Sequence, residues 1–108
     1  MRYLLFVCAE ESVKVNPEEA SAESWVEEMD GRGVRREGSR LRPVSDATTV
    51  RLQRGEVVLS DGPFAETKEQ IAGFDIIECE DLDEAIEVAS KHPVAKYGAI
   101  EVRPFWEA

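Results

Sequence analysis

The run Asp61-Gly62-Pro63-Phe64-Ala65-Glu66-Thr67-Lys68-Glu69 gathers three carboxylates, one hydroxyl and one amine. Pro lacks an N–H for a strand ladder and Gly relaxes the backbone beside it, so Gly62-Pro63 marks the run as a loop. Loops held by a rigid scaffold are where binding and reacting groups concentrate. Phe64 is expected to anchor the loop to the core and to meet a ligand, with Glu66 and Lys68 as polar ligand-binding groups. Asp61 is an acid–base candidate, since a pocket that raises its pKa toward neutrality lets it take up and return a proton. Its other reading is a turn residue whose carboxylate accepts backbone N–H bonds ahead of Pro63.

His92, the single histidine, is the second catalytic candidate. It falls at the predicted end of a helix, where the dipole favours an imidazolium, and that structural role is its alternative reading. One histidine excludes a multi-histidine metal site and leaves few routes to zinc. Asp81-Leu82-Asp83-Glu84 lacks the glycine and ligand spacing of an EF-hand and reads as a helix cap. The chain has no phosphate-cradling glycine loop, no nucleophile elbow and no Cys–His pair, so neither a metal nor a cofactor is expected.

The hydrophobic pattern locates the elements that must position these groups. Residues 3–9 are apolar without polar alternation, as in a central strand covered on both faces. Asn16-Pro17-Glu18-Glu19 starts a helix, with a capping side chain, Pro at the first helical position and Glu three residues after the cap. Ala22, Trp25, Val26 and Met29 continue it at i, i+3, i+4, i+7, and Gly31 and Gly33 stop it. Residues 34–44 are weakly strand-like. Residues 48–52 and 56–60 flank Gln53-Arg54-Gly55 as a hairpin. Residues 71–79 form the next strand. Asp81 and Glu84 open a second helix with Leu82, Ala85, Ile86 and Ala89 as its stripe, ended by Pro93. Residues 97–102 are the last strand.

This order predicts an α+β fold, a ferredoxin-like β-α-β-β-α-β sandwich with an inserted β-hairpin, as one domain over residues 1–108. Two helices cover one face of such a sheet. Tyr3, Leu5 and Val7 alternate with Leu4, Phe6 and Cys8, so both faces of the first strand are apolar. A homodimer packed sheet to sheet is expected to cover the second face, with Phe105 and Trp106 joining the seam. Antiparallel pairing of the first and third core strands would set Cys8 and Cys79 at opposite ends, beyond disulfide reach. Both read as buried structural thiols.

With 23 acidic and 13 basic side chains, the 108 residues carry a net charge of -10. That charge opposes direct binding of duplex nucleic acid or an anionic membrane. Seven arginines (Arg32, Arg35, Arg36, Arg40, Arg42, Arg51, Arg54) nonetheless concentrate in residues 32–54 against Glu37 and Asp46. They read as a solvated strand face paired with acidic helices, or as an anion- or partner-binding stripe. Residues 3–9 are too few to span a bilayer and are followed by no signal-peptide cleavage site, so the expected location is cytoplasmic.

The loop 61–69, then Gly73-Phe74, Asp81-Leu82-Asp83-Glu84-Ala85, His92-Pro93 and Glu101-Val102-Arg103-Pro104, resemble the DGPF branch of the YCII-related proteins. Arg2-Tyr3-Leu4-Leu5 and Thr49-Val50-Arg51 extend the resemblance over nearly the whole chain. It implies a ferredoxin-like fold that forms a dimeric α+β barrel. It also implies either of two roles. One is a cleft at the DGPF loop that binds a small polar or aromatic molecule, with acid–base chemistry such as elimination, isomerisation or hydrolysis. The other is a non-catalytic dimeric sensor or partner module tied to extracytoplasmic-function sigma factors. The histidine–aspartate pair of the wider family is not reproduced: Trp25 and acidic neighbours stand where its helix-one histidine is expected.

Overall fold

The computed structural model of the chain describes residues 1–107. Strand β1 (Arg2–Ala9) leads to helices α1 (Pro17–Ala20) and α2 (Glu23–Gly31), then to strand β2 (Arg35–Arg40). A hairpin of β3 (Thr48–Gln53) and β4 (Glu56–Asp61) follows, then β5 (Gln70–Glu78), α3 (Leu82–Ser90) and β6 (Ala99–Pro104). The main sheet is antiparallel throughout in the order β2-β5-β1-β6, and the hairpin forms a separate two-stranded sheet. This is the expected ferredoxin-like α+β plan with the hairpin inserted between its second and third strands. No helix of the described residues is long and apolar enough to cross a membrane.

Strand alternation sets the layers. Tyr3 and Leu5 of β1 and Ile77 of β5 are buried together with Trp25, Met29 and Val88 from the helices, and Val7 is buried further along β1. Trp25 Nε1 donates to the Val88 carbonyl at 2.9 Å, so the side chain that fills the core also ties α2 to α3. On the opposite face Leu4 pairs with Ile76 and Phe6 with Phe74, and all four remain only half-buried. The molecule measures 18 Å along its thinnest axis, close to one sheet layer plus one helix layer.

Three local expectations are corrected. The first helix is broken, because Ser21 is extended (φ -66, ψ 128) and its hydroxyl accepts from Glu23 N at 3.4 Å. A hydroxyl that offers the backbone an alternative bond competes with helix continuation. On α3 the buried residues are Ala85, Val88 and Ala89, whereas Leu82 and Ile86 are about half exposed (49% and 50%). The two alanines admit close approach to the sheet, and the Trp25 bond to Val88 holds that rotation. Strand β6 begins two residues later than expected, because Tyr97 and Gly98 donate back to the Val94 carbonyl in a turn. A Cβ at Gly98 would overlap the Cys8 carbonyl oxygen.

The hairpin turns on Arg54 and Gly55 alone, both at positive φ (51 and 81). Two central residues with φ > 0 match the right-handed twist of the flanking strands. The hairpin stands away from the body. The Cα radius of gyration is 15.7 Å, against about 13 Å for a compact chain of this length.

Candidate functional site

The loop 61–69 leaves β4 and enters β5 at the end of the sheet where β1 finishes. Gly62 lies at φ 98, a region that favours glycine. Its N–H donates to the Ala47 carbonyl at 2.7 Å, and its carbonyl accepts from Thr49 Oγ1 at 2.9 Å. At the far end, Gln70 Nε2 donates to the carbonyls of Ala65 (3.0 Å) and Thr67 (3.1 Å). Backbone groups, one threonine and one glutamine therefore hold the loop. Phe64, expected as its apolar anchor, is 77% exposed. The polar ties suffice, and the ring is left in solvent.

Across from this loop the chain turns out of β1 through Glu10, Glu11 and Ser12. The Glu11 carboxylate accepts from Val44 N at 3.1 Å, which pins the short 3-10 turn Val44–Asp46 against it. Ser12 Oγ donates to Glu10 Oε1 at 2.9 Å, and Lys68 Nζ lies 4.0 Å from Glu10 Oε2. Between the two segments is an open cleft of about 380 Å³, with Glu10, Glu11, Val44, Pro63, Glu66 and Lys68 among its walls. Three carboxylates and one ammonium over two apolar side chains suit a small ligand that presents hydrogen-bond donors. The Lys68 side chain is 81% exposed, so its contact with Glu10 contributes little to stability and leaves the amine available.

Of the residues singled out in the sequence, Glu66 and Lys68 are brought together in this cleft. Phe64 and Asp61 belong to the same loop but do not line it. Asp61 ends β4 opposite Thr48 and is exposed. Among the described residues nothing donates a hydrogen bond to its carboxylate, and the turn it was expected to fix is held by Gly62 and Thr49 instead. His92 lies apart from the cleft, buried at 4% exposure in the helix layer. Its ring meets Trp25 edge-on at 4.8 Å, and its Nδ1 accepts from Val94 N at 3.1 Å, capping the turn Pro93–Lys96. Burial pushes the imidazole pKa down to about 4. The imidazolium expected from the helix dipole is thus replaced by a neutral ring, because desolvation outweighs the dipole.

Glu10, Glu11 and Ser12 were not anticipated, although two adjacent carboxylates directly after a central strand are a readable signal. Also unanticipated is the ion pair of Arg35 Nε with Asp75 Oδ1 at 2.9 Å, with side chains 17% and 8% exposed. Burial raises the Asp75 carboxyl above its ordinary value, while the Arg35 hydrogen bond opposes that rise. A Cβ at Gly38 would overlap the Asp75 carboxylate, so this pair requires glycine there. The signal was an Asp at a core-facing position of an apolar strand. Part of the arginine stripe pairs with helices as the solvated-face reading expects: Arg32 with Glu87 (2.8 Å) and Glu28 (3.6 Å), and Arg35 with Asp30 (3.5 Å). Arg36, Arg40, Arg51 and Arg54 make no ion pair among the described residues.

The two cysteines are free and sit at opposite ends of the β1–β5 pairing, as expected: Cys8 is opposite Ile71, while Cys79 lies beyond Glu78, which pairs with Arg2. Burial pushes the Cys79 thiol up to about 11 and also raises that of Cys8, with Glu101 and Glu69 adding to the latter. Neither is activated as a nucleophile.

An uncharacterised protein of Rhizobium meliloti (strain 1021) is 48% identical to this chain over 68 residues, 61% of this chain and 55% of that protein. The chain thus spans about half the length of this curated relative. The model of the YCII-related domain matches residues 1–108, and with that match over its full length the chain belongs to the YCII-related family.

Proposed function

We propose that the chain is a DGPF-branch member of this family that acts as a homodimer and binds a small polar ligand in the cleft between residues 10–12 and the loop 61–69. The observation that carries this reading is the convergence of Glu66 and Lys68 on Glu10 and Glu11 across a cleft of about 380 Å³. That volume falls at the small end of ligand sites. Val44 and Pro63 offer a surface for the ligand's apolar or aromatic part. The two acid–base candidates, Asp61 and His92, lie outside the cleft, which favours binding over catalysis. The half-buried face of Leu4, Phe6, Phe74 and Ile76 supports the homodimer, because a second sheet is the economical cover for it.

A thermal-shift screen of small amines, amino acids, polyols and organic anions on four proteins tests the site. A ligand at ~100 times its Kd stabilises by about 2.7 kcal/mol, several degrees for a domain of this size. Wild type and Asp61→Asn are expected to shift together, with the shift lost in Glu66→Gln and in Lys68→Met. A ligand that stabilises all four equally binds elsewhere and overturns the assignment. Absence of any stabilising ligand favours the second reading, a partner module for an extracytoplasmic-function sigma factor. The arginines without ion pairs support that reading, and it requires a complex weakened by Arg51→Glu with Arg54→Glu.

A further inference from the structure

The neutral side chains around the cleft have committed their protons to the protein itself. Gln70 is half-buried in the wall, and its Nε2 gives its two hydrogens to the carbonyls of Ala65 (3.0 Å) and Thr67 (3.1 Å). Those two carbonyls fix which way the carboxamide faces, because only its nitrogen donates. Its Oε1 accepts no hydrogen bond among the described residues, and no unpaired side-chain oxygen among them is buried, so this atom stays open to a ligand. The Thr67 hydroxyl is spent on the Glu69 carbonyl, and that of Ser12 on Glu10 Oε1. A hydroxyl has one proton, so both now offer only lone pairs. The three carboxylates of Glu10, Glu11 and Glu66 are acceptors as well, which leaves Lys68 as the one side-chain donor on the walls.

We propose that the ligand is a basic amino acid, an assignment that rests on this cleft being the ligand site. Its ammonium groups meet the carboxylates and Gln70 Oε1, its carboxylate meets Lys68, and its methylene chain lies over Val44 and Pro63. Three features select it. An ammonium carries three N–H donors and no acceptor, the complement of walls that present acceptors. Three carboxylates against one ammonium leave a surplus of negative charge, which a neutral or anionic ligand does not relieve. Lys68, 81% exposed and 4.0 Å from Glu10, is loosely held and turns to a ligand carboxylate without breaking a buried bond. A simple amine leaves Lys68 unused, and an organic acid sets its charge against three like charges. Gln70 adds a fixed acceptor, held in that orientation by the same bonds that shape the loop.

Thermal-shift titrations at constant ionic strength with three probes test the ligand class: L-lysine, L-norleucine, which lacks only the side-chain ammonium, and cadaverine, which lacks only the carboxylate. The proteins compared are wild type, Glu66→Gln, Lys68→Met and Glu80→Gln, the last removing an exposed carboxylate beyond the far end of β5. Glu66 and Lys68 are exposed as well, so neither change disturbs the core. The expected result is an apparent Kd for L-lysine at least about tenfold below that of either analogue. The advantage over norleucine falls in Glu66→Gln, the advantage over cadaverine is lost in Lys68→Met, and Glu80→Gln behaves as wild type. An analogue that binds as tightly as L-lysine overturns the ligand class, and the cleft stands if that binding is lost in Glu66→Gln. L-lysine binding unchanged in both cleft variants overturns the class and the cleft together. Equal weakening in Glu80→Gln shows attraction to net charge alone and overturns the class, as does the absence of any shift with all three probes.

Discussion

His92 illustrates how burial reassigns a titratable residue. Placed against Trp25 and accepting from Val94 N, it is held neutral, with its pKa lowered from 6.5 to about 4. A base whose folded pKa lies below its unfolded value binds fewer protons when folded. Its contribution to stability is therefore full above pH 6.5 and is lost as pH falls through 4. The difference is worth about 3 kcal/mol at most. Urea unfolding of wild type and His92→Gln between pH 7 and 4 should show the wild type losing stability more steeply. Parallel curves would mean that the ring is protonated without cost. The Gly38–Asp75–Arg35 arrangement obeys the same rule by another route: a charge that must be buried is given a partner, and the neighbouring residue gives up its side chain to make room.

At the scale of elements, caps and turns behave as their residue types dictate. Asp81 accepts from Glu84 N at 2.9 Å, and Glu84 in turn accepts from Glu80 N at 2.9 Å, a reciprocal cap displaced by one residue from the usual box. Replacing Asp81 with Ala should cost about 1 kcal/mol, read as a lower denaturation midpoint with an unchanged m-value. A change below a few tenths would show that Glu84 holds the helix start alone. The first helix shows the limit of periodicity. Ala22, Trp25, Val26 and Met29 keep helical spacing, but only Trp25 and Met29 are buried, and the Ser21 hydroxyl, one residue before the stripe begins, breaks the run.

At the scale of the whole molecule, thinness and an open sheet face define what remains to be covered. Cys8 reports on this directly, since alternation places it on the open face with Leu4 and Phe6, near Glu101. On the proposed homodimer its labelling by a thiol reagent should accelerate on dilution, whereas Cys79, buried in the core at 3% exposure, should label only through unfolding. Rates independent of concentration would place Cys8 outside any seam.

The amino-acid sequence by itself determined the element order, the inserted hairpin and the apolar strand at the centre. Each follows from local periodicity, Gly and Pro chemistry or capping, which act over a few residues. It also marked the loop 61–69 and, within it, Glu66 and Lys68. What only the tertiary structure decided depends on residues far apart in the chain. Glu10 and Glu11 become neighbours of Lys68 because β1 ends where β5 begins. Asp61 and Phe64 stay out of the cleft because Gly62 and Gln70 fix the loop's course. His92 is neutral because α2 delivers Trp25 to it. Solvation and pairing of a side chain are set by what the fold packs around it, and one-dimensional spacing carries no record of those neighbours.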